Sequence, residues 1–133
     1  MGIRVAWANE ERAVMFWQFD ALWTWDDWHA AADISVKLRK ASPSQPRVVV
    51  ILNLSGSRVL PRNPLQHARR ALQKADPRDV IVLVGSTFSR FLASTFRELY
   101  PTLAKSFYVV GSFDEALALA NTLRGASAVY ERI

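Results

Sequence analysis

The stretch Val48-Val49-Val50-Ile51-Leu52-Asn53-Leu54-Ser55-Gly56 decides the fold. Successive residues of a strand point to opposite faces, so a half-buried strand alternates apolar and polar side chains. This run does not alternate. Unbroken apolarity over a strand's length implies cover on both faces, as in the interior of a parallel sheet. Val80-Ile81-Val82-Leu83-Val84 repeats the pattern downstream. Two parallel strands need a crossover, and the residues between them supply one. Asn63 is placed as an N-cap with Pro64 at the first helical position. Leu65, Ala68, Leu72 and Ala75 then recur at helical spacing, and Asp76-Pro77 stops the helix. The two strands are predicted to be interior neighbours.

Toward the N-terminus, residues 3–7 read as a strand, Asn9-Glu10-Glu11 as a polar turn, and residues 13–19 as a second strand, together a hairpin. Thr24 caps the next helix, with Asp27 completing a capping box and Asp26 suiting the positive end of the helix dipole. That helix runs to about Lys40, with Lys37, Arg39 and Lys40 in its last turn and Ser42-Pro43 beyond. Trp25, Trp28, Ala32 and Leu38 form its apolar side. After the second apolar run, Gly85-Ser86-Thr87 turns into a helix with Phe88, Phe91, Leu92, Phe96 and Leu99 on one face. Residues 106–110 make a last strand. Ser112 and Glu115 open the final helix, which Gly125 is predicted to end, leaving 126–133 as a tail. The order ββαβαβαβα predicts an α/β fold, a single domain over 1–133. Its mixed sheet has about five strands and its helices number about four, with the hairpin as an antiparallel edge.

The 133 residues suit one domain, and half of them are hydrophobic with 22% charged, an ordinary globular composition. There are no cysteines, which excludes disulfides, thiolate metal sites and cysteine nucleophiles. The N-terminus carries acidic residues where a signal peptide needs an apolar run, and Ala6 breaks the myristoylation pattern. The longest apolar runs are strand-sized, so no membrane span is expected and the chain is assigned to the cytoplasm. The net charge of +5 invites an anionic partner. The basic residues are scattered from Arg4 to Arg132 without a like-charged block, which argues against nucleic acid.

Catalytic motifs are absent: there is no G-x-G-x-x-G, Walker loop or G-x-S-x-G, so no enzyme activity and no cofactor is expected. The strand-to-helix turn at Gly85-Ser86-Thr87 is a weak candidate for an anion. His29 and His67 lack metal-ligand spacing and read as solvated or structural. Five tryptophans, Trp7, Trp17, Trp23, Trp25 and Trp28, crowd the first 28 residues. Packing is the favoured reading of that cluster, and a ligand site the other. Arg58, Arg62, Arg69, Arg70 and Lys74 surround one loop and helix, either as a solvated face or as the seat of an acidic partner.

From Val48 to Leu65 the chain resembles a STAS domain, the family of bacterial anti-sigma-factor antagonists and sulfate-transporter C-terminal domains. In that family a buried strand ends Asp-Leu-Ser-Gly and an Asp-Ser-Ser-Gly-Leu turn opens a helix. Here the strand ends Asn53-Leu54-Ser55-Gly56 and the turn reads Pro61-Arg62-Asn63-Pro64-Leu65. The later strand, the Phe-rich helix and the Ser112-Phe113-Asp114-Glu115-Ala116-Leu117 helix start also fit, so the resemblance covers most of the chain. It implies a non-enzymatic, regulatory protein-interaction module. It also implies that Asn63 stands where the family's phosphorylated serine lies, so the acceptor is lost. The N-terminal half is closer to divergent STAS-like proteins grouped with CRAL-TRIO lipid-binding domains, which implies an apolar ligand pocket.

Two functional expectations follow. The first is a partner surface at Ser55, Ser57, Arg58, Arg62 and Asn63, backed by Arg69 and Arg70, for another protein or a second copy of the chain. The small side of the third helix, Ser89, Ala93, Ser94 and Arg97, is expected to join a homodimer contact or else to be a lightly solvated surface. The alternative is a carrier of a small apolar ligand or lipid, with Trp23, Trp25, Trp28, Phe88 and Phe91 lining its pocket.

Overall fold

The structure, a computed structural model, describes residues 2–8, 11–85 and 87–132. It does not describe the side chains of residues 87–89, 91, 92, 103, 104 and 124–132. The described elements follow the predicted order: β1 (Ile3–Trp7), β2 (Val14–Phe19), α1 (Trp25–Lys40), β3 (Val49–Asn53), α2 (Pro64–Lys74), β4 (Val80–Val84), α3 (Thr87–Leu99), β5 (Phe107–Val110) and α4 (Phe113–Arg132). A 3-10 turn, Leu103–Ser106, leads into β5.

The five strands lie in chain order, β1-β2-β3-β4-β5. β1 pairs antiparallel with β2, and every later pairing is parallel. β3 and β4 are interior neighbours in register Val49↔Val80, as their unbroken apolarity requires. Met15, Val50, Ile81 and Phe107 align as one row across β2 to β5, and Trp17, Leu52 and Leu83 lie in the next row on the same face. α1, α2 and α3 sit over that face. The other face carries Val14, Val49, Ile51, Val80, Val82 and Val84, sealed by Ala116 and Ala120 of α4. Three crossovers that each step one strand and share a face share one hand, as βαβ units normally do.

Local chemistry explains the start of α1. The Thr24 hydroxyl accepts from the Asp27 N–H at 3.2 Å, and the Asp27 carboxylate accepts from the Thr24 N–H at 3.0 Å. Asn63 starts α2 differently. It caps the helix from the left-handed region (φ 63°), which asparagine tolerates, and its side chain makes no capping bond.

Several expectations are corrected. α4 does not stop at Gly125 but continues to Arg132. One glycine costs about 1 kcal/mol in a helix interior, too little to end a segment rich in alanine and leucine. Leu99 is 57% exposed rather than packed on the sheet, and Ala93 is only 5% exposed. At 100° per residue, Ala93, Phe96 and Tyr100 share the inner face and Leu99 falls beside it. An Ala93 buried within its own chain cannot form the dimer contact expected of it. Ser94 and Arg97 are exposed. Arg39, placed in the last turn of α1, is buried. Asn9, Glu10, Ser86 and Ile133 lie outside the described residues, as do the side chains of Phe88, Ser89, Phe91 and Leu92.

Candidate ligand cavity beneath helix α2

α2 stands off the sheet. All of its residues are described and none is buried. The reason is side-chain length. Its inward stripe is Ala68, Ala71, Leu72 and Ala75, and the part of α1 beside it offers Ala32, Ser35 and Val36. Ser35 reaches Met15 at 3.0 Å and Ala71 packs against the core beside it, but these groups are mostly short, and a cavity of about 460 Å³ is left between the two helices and the floor row of Met15, Val50, Ile81 and Phe107. Close-packed interiors hold few spaces larger than a water molecule. Small-ligand sites occupy roughly 300–1,000 Å³, and this cavity falls in that range. An apolar extension of about 80 Å³ adjoins it, walled by Trp23, Trp25, Leu60, Leu83, Ala93 and Phe96. Trp28, Leu52, Ala68, Leu72 and Phe107 belong to both spaces.

Indoles prop up one end. Trp28 meets the Trp17 ring edge-on at 5.2 Å and the Trp25 ring at 5.5 Å. Its Nε1–H donates to the His67 carbonyl at 3.2 Å. The Trp25 N–H donates to the Arg62 carbonyl, and the Trp23 N–H donates to the Ser57 hydroxyl at 2.7 Å. Each bond ties the start of α1 to the loop before α2 or to α2 itself. The His67 ring stacks on Trp25 at 4.3 Å, and its Nδ1 shares a 2.8 Å hydrogen bond with Nε2 of His29.

Charge closes the other end. Arg39 Nε donates to Asp79 Oδ2 at 2.7 Å, and its terminal nitrogens donate to the Ser42 and Gln45 carbonyls at 2.7 and 2.8 Å. Asp79 Oδ1 accepts from the Val48 N–H at 2.9 Å. Burial pushes the Asp79 carboxyl up, against the pull of Arg39 and the Val48 amide. Asp76 is held down to about 2, chiefly by the Arg78 side chain, which donates to it at 2.8 Å. On the outer rim Lys74 pairs with Asp33 at 3.4 Å.

Both imidazoles are pushed below 6.5, first by desolvation. For His29, the His67, Arg70 and Lys74 charges add to that and Asp26 opposes it; for His67, Arg70 adds to it. A depressed folded-state pKa gives stability that is present above the unfolded value and lost as pH falls through the folded one. The α1–α2 clasp is therefore expected to weaken below pH 6.5. NMR titration should place both imidazole midpoints under 6.5, and the melting-temperature lead of the wild type over His29→Gln should shrink between pH 7.5 and 5. A midpoint above 6.5 at either ring contradicts this.

No family model, no curated protein and no solved structure matches this chain. The cavity's chemistry rests on its own residues. Of the expected pocket residues, Trp28 lines the cavity and its extension, Trp23 and Trp25 line the extension alone, and the Phe88 and Phe91 side chains lie outside the described residues. Of the expected partner surface, Arg58, Arg62, Asn63, Arg69 and Arg70 are exposed, and Arg69 lies over the Tyr100 ring at 5.5 Å. Ser57 is engaged, accepting from Trp23 and donating to the Val59 carbonyl at 2.9 Å. Ser55 donates to Asn53 Oδ1 at 2.7 Å. The Gly85 amide, offered for an anion, donates to the Val110 carbonyl at 3.3 Å. Among the described residues no cluster of three or more metal-ligating side chains forms, and no helix is long and apolar enough to cross a membrane.

Three features were invisible in the sequence: the His29–His67 pair, the Arg39–Asp79 pair and the cavity itself. The histidines are 38 residues apart and the ion pair 40. The one available signal was the run of alanines on the inner stripe of α2, which is too small a stripe to fill the space under a helix.

Proposed function

We propose that the chain is a non-catalytic binding domain that encloses a small apolar ligand between its sheet and α2. The observation that carries this reading is the 460 Å³ cavity, floored by one cross-sheet row of apolar residues and roofed by a helix whose inner residues are only partly buried. Short side chains on α1 and α2 leave room for a guest whose apolar surface the floor and the two helices would cover.

The test uses Nile red, a neutral apolar dye. It should bind the purified protein with a rise in fluorescence. Ala71→Phe, which places a ring in the cavity, should abolish that uptake and raise the melting temperature by several degrees, because burying an aromatic ring is worth about 1.5–3 kcal/mol. Absence of uptake by the wild type overturns the reading, and so does an Ala71→Phe variant of lowered stability, which would mean that α2 rests on the floor.

A second reading rests on the outer side of the same helix. Residues 54–75 hold Arg58, Arg62, Arg69, Arg70 and Lys74 and no acidic residue. This supports an acidic protein partner docking on α2, in keeping with the STAS resemblance, with no phosphorylation switch at Asn63.

A further inference from the structure

β1 is an open edge of the sheet, paired on one side with β2 and covered on one face by α1. The Ala8 N–H donates to the Val14 carbonyl and the Asp20 N–H to the Gly2 carbonyl, each at 2.8 Å. These two bonds set the phase of the ladder, because bonded and non-bonded pairs alternate along an antiparallel pair. Gly2, Arg4, Ala6 and Ala8 therefore bond to β2. The N–H and C=O groups of Ile3, Val5 and Trp7 point the other way, and they have no partner among the described residues. Edges are commonly blunted by lysine, proline or a bulge. Ile3–Trp7 has neither lysine nor proline, and its register with β2 is unbroken.

The edge is complementary to itself. A second copy laid antiparallel, Val5 against Val5, brings every free N–H opposite a free C=O about a two-fold axis perpendicular to the sheet. Ile3 then faces Trp7 of the second copy, and a β-branched residue opposite an aromatic one is a favourable cross-strand pair. Ile3, Val5 and Trp7 all belong to the apolar α1 side of the sheet. On the other side Arg4 faces Ala6 rather than another arginine, and Arg4 is already matched by Asp20 at 3.5 Å, so no like charges oppose the pairing.

Helix α1 adds a second match. His29 and Asp33 turn toward α2, where they meet His67 and Lys74. At 100° per residue, Ile34 falls on the flank away from α2, on the β1 side, and it is 37% exposed. Trp17, across from Val5, meets the Trp28 ring, and Met15, across from Trp7, takes the Ser35 hydroxyl. An axis through Val5 therefore passes level with the middle of α1. The two α1 helices flank it antiparallel, with the acidic first turn of one (Asp26, Asp27) at the level of the basic last turn of the other (Lys37, Lys40). That is a match of opposite charges and of opposed helix dipoles.

We propose that the chain forms a two-fold homodimer through β1, joining two five-stranded sheets into one of ten strands, with Ile34 of each α1 beside the axis. The cavity lies on the α2 side of α1, so pairing at β1 leaves it untouched in both copies.

Sedimentation of the purified chain at high micromolar concentration should show a dimer. Val5→Pro removes a donor that β2 does not use, a position proline tolerates in an edge strand. It should leave the fold intact and raise the dimer's dissociation constant by about twentyfold or more, because both Val5 N–H bonds at the axis are lost and each is worth about fivefold. Ile34→Lys should also favour the monomer, whereas Leu99→Lys, on the exposed side of α3, should not. The chain has no cysteine, so Val5→Cys reports the register alone. Opposed residues of a bonded antiparallel pair have Cα atoms about 5.5 Å apart, within disulfide reach, and mild oxidation should link the two copies. Ala8→Cys, whose counterpart lies several residues along the strand, should stay unlinked. Val5→Cys and Ile34→Lys keep the test decisive if Val5→Pro does not fold. A monomeric wild type overturns the proposal, as does a dimer that Leu99→Lys splits while Val5→Pro and Ile34→Lys leave it whole, or a Val5→Cys variant that does not cross-link.

Discussion

Asp79→Ala is expected to destabilise the protein by about 3–5 kcal/mol, the usual cost of removing one partner from a buried ion pair. Against a total stability of roughly 5–15 kcal/mol this threatens folding outright. The origin of the loss is Arg39. Arg39 and Asp79 are each 6% exposed, and the guanidinium meets Asp79 at 2.7 Å while Asp76 lies 3.8 Å away. With Asp79 gone, a buried cation keeps two backbone carbonyls and one distant carboxylate, and the Val48 amide loses its acceptor at the entrance to β3. Urea denaturation should show the midpoint falling with the slope unchanged.

The pair as a whole contributes much less than its rupture costs. Burial raises the Asp79 carboxyl above its ordinary range even beside Arg39, so desolvation outweighs the attraction at that site. Stability carried by a raised carboxyl is present below the unfolded value and is lost as pH rises through the folded one. Asp76, held at about 2, works in the opposite sense: its contribution is present above 3.8 and is lost as pH falls toward 2. The double substitution Arg39→Met with Asp79→Leu should therefore recover most of what Asp79→Ala loses. A single substitution costing under about 1 kcal/mol would show that water reaches the pair and screens it.

The fold was legible because its decisive signals are local. The unbroken runs at Val48 and Val80, the Thr24–Asp27 box and the Asn63-Pro64 helix start each occupy a few neighbouring residues, and each fixes an element or its place in the sheet. The site was legible only in part, because its features arise between elements. Trp23, Trp25 and Trp28 were assigned both to packing and to a pocket, and the structure gives them both positions: their rings pack on one another, and all three line the small extension of the cavity. The alanine stripe of α2 counts as apolar in any periodicity, yet only the space beneath the helix reveals that alanine leaves it unfilled. Arg39 has the position of a dipole-compensating cation at a helix end, and nothing near it in sequence announces Asp79. The face of α3 was misjudged because Leu99 and Ala93 were sorted by size, whereas the helix turns Ala93 inward and Leu99 out.

The remaining large effect is expected at Trp28. Trp28→Ala should cost about 3–5 kcal/mol, the range for emptying a large aromatic from a core. Trp28 touches four aromatic rings, Trp17, Phe19, Trp23 and Trp25, at centroid distances of 5.2, 5.9, 6.0 and 5.5 Å. It also carries the 3.2 Å bond to the His67 carbonyl that holds α2 to α1. Its loss would enlarge the two spaces it lines and free the first half of α2, so amide exchange in α2 should accelerate more than in β3 or β4. Trp28→Phe separates the two roles. It keeps a ring in the cluster and removes the N–H, so its stability loss should fall to about 1–2 kcal/mol while exchange in α2 still accelerates, because a net hydrogen bond is worth about 1 kcal/mol. If α2 exchanged as slowly in Trp28→Phe as in the wild type, the His29–His67 clasp and the Trp25 stack would suffice to hold the roof, and Trp28 would act on the core alone.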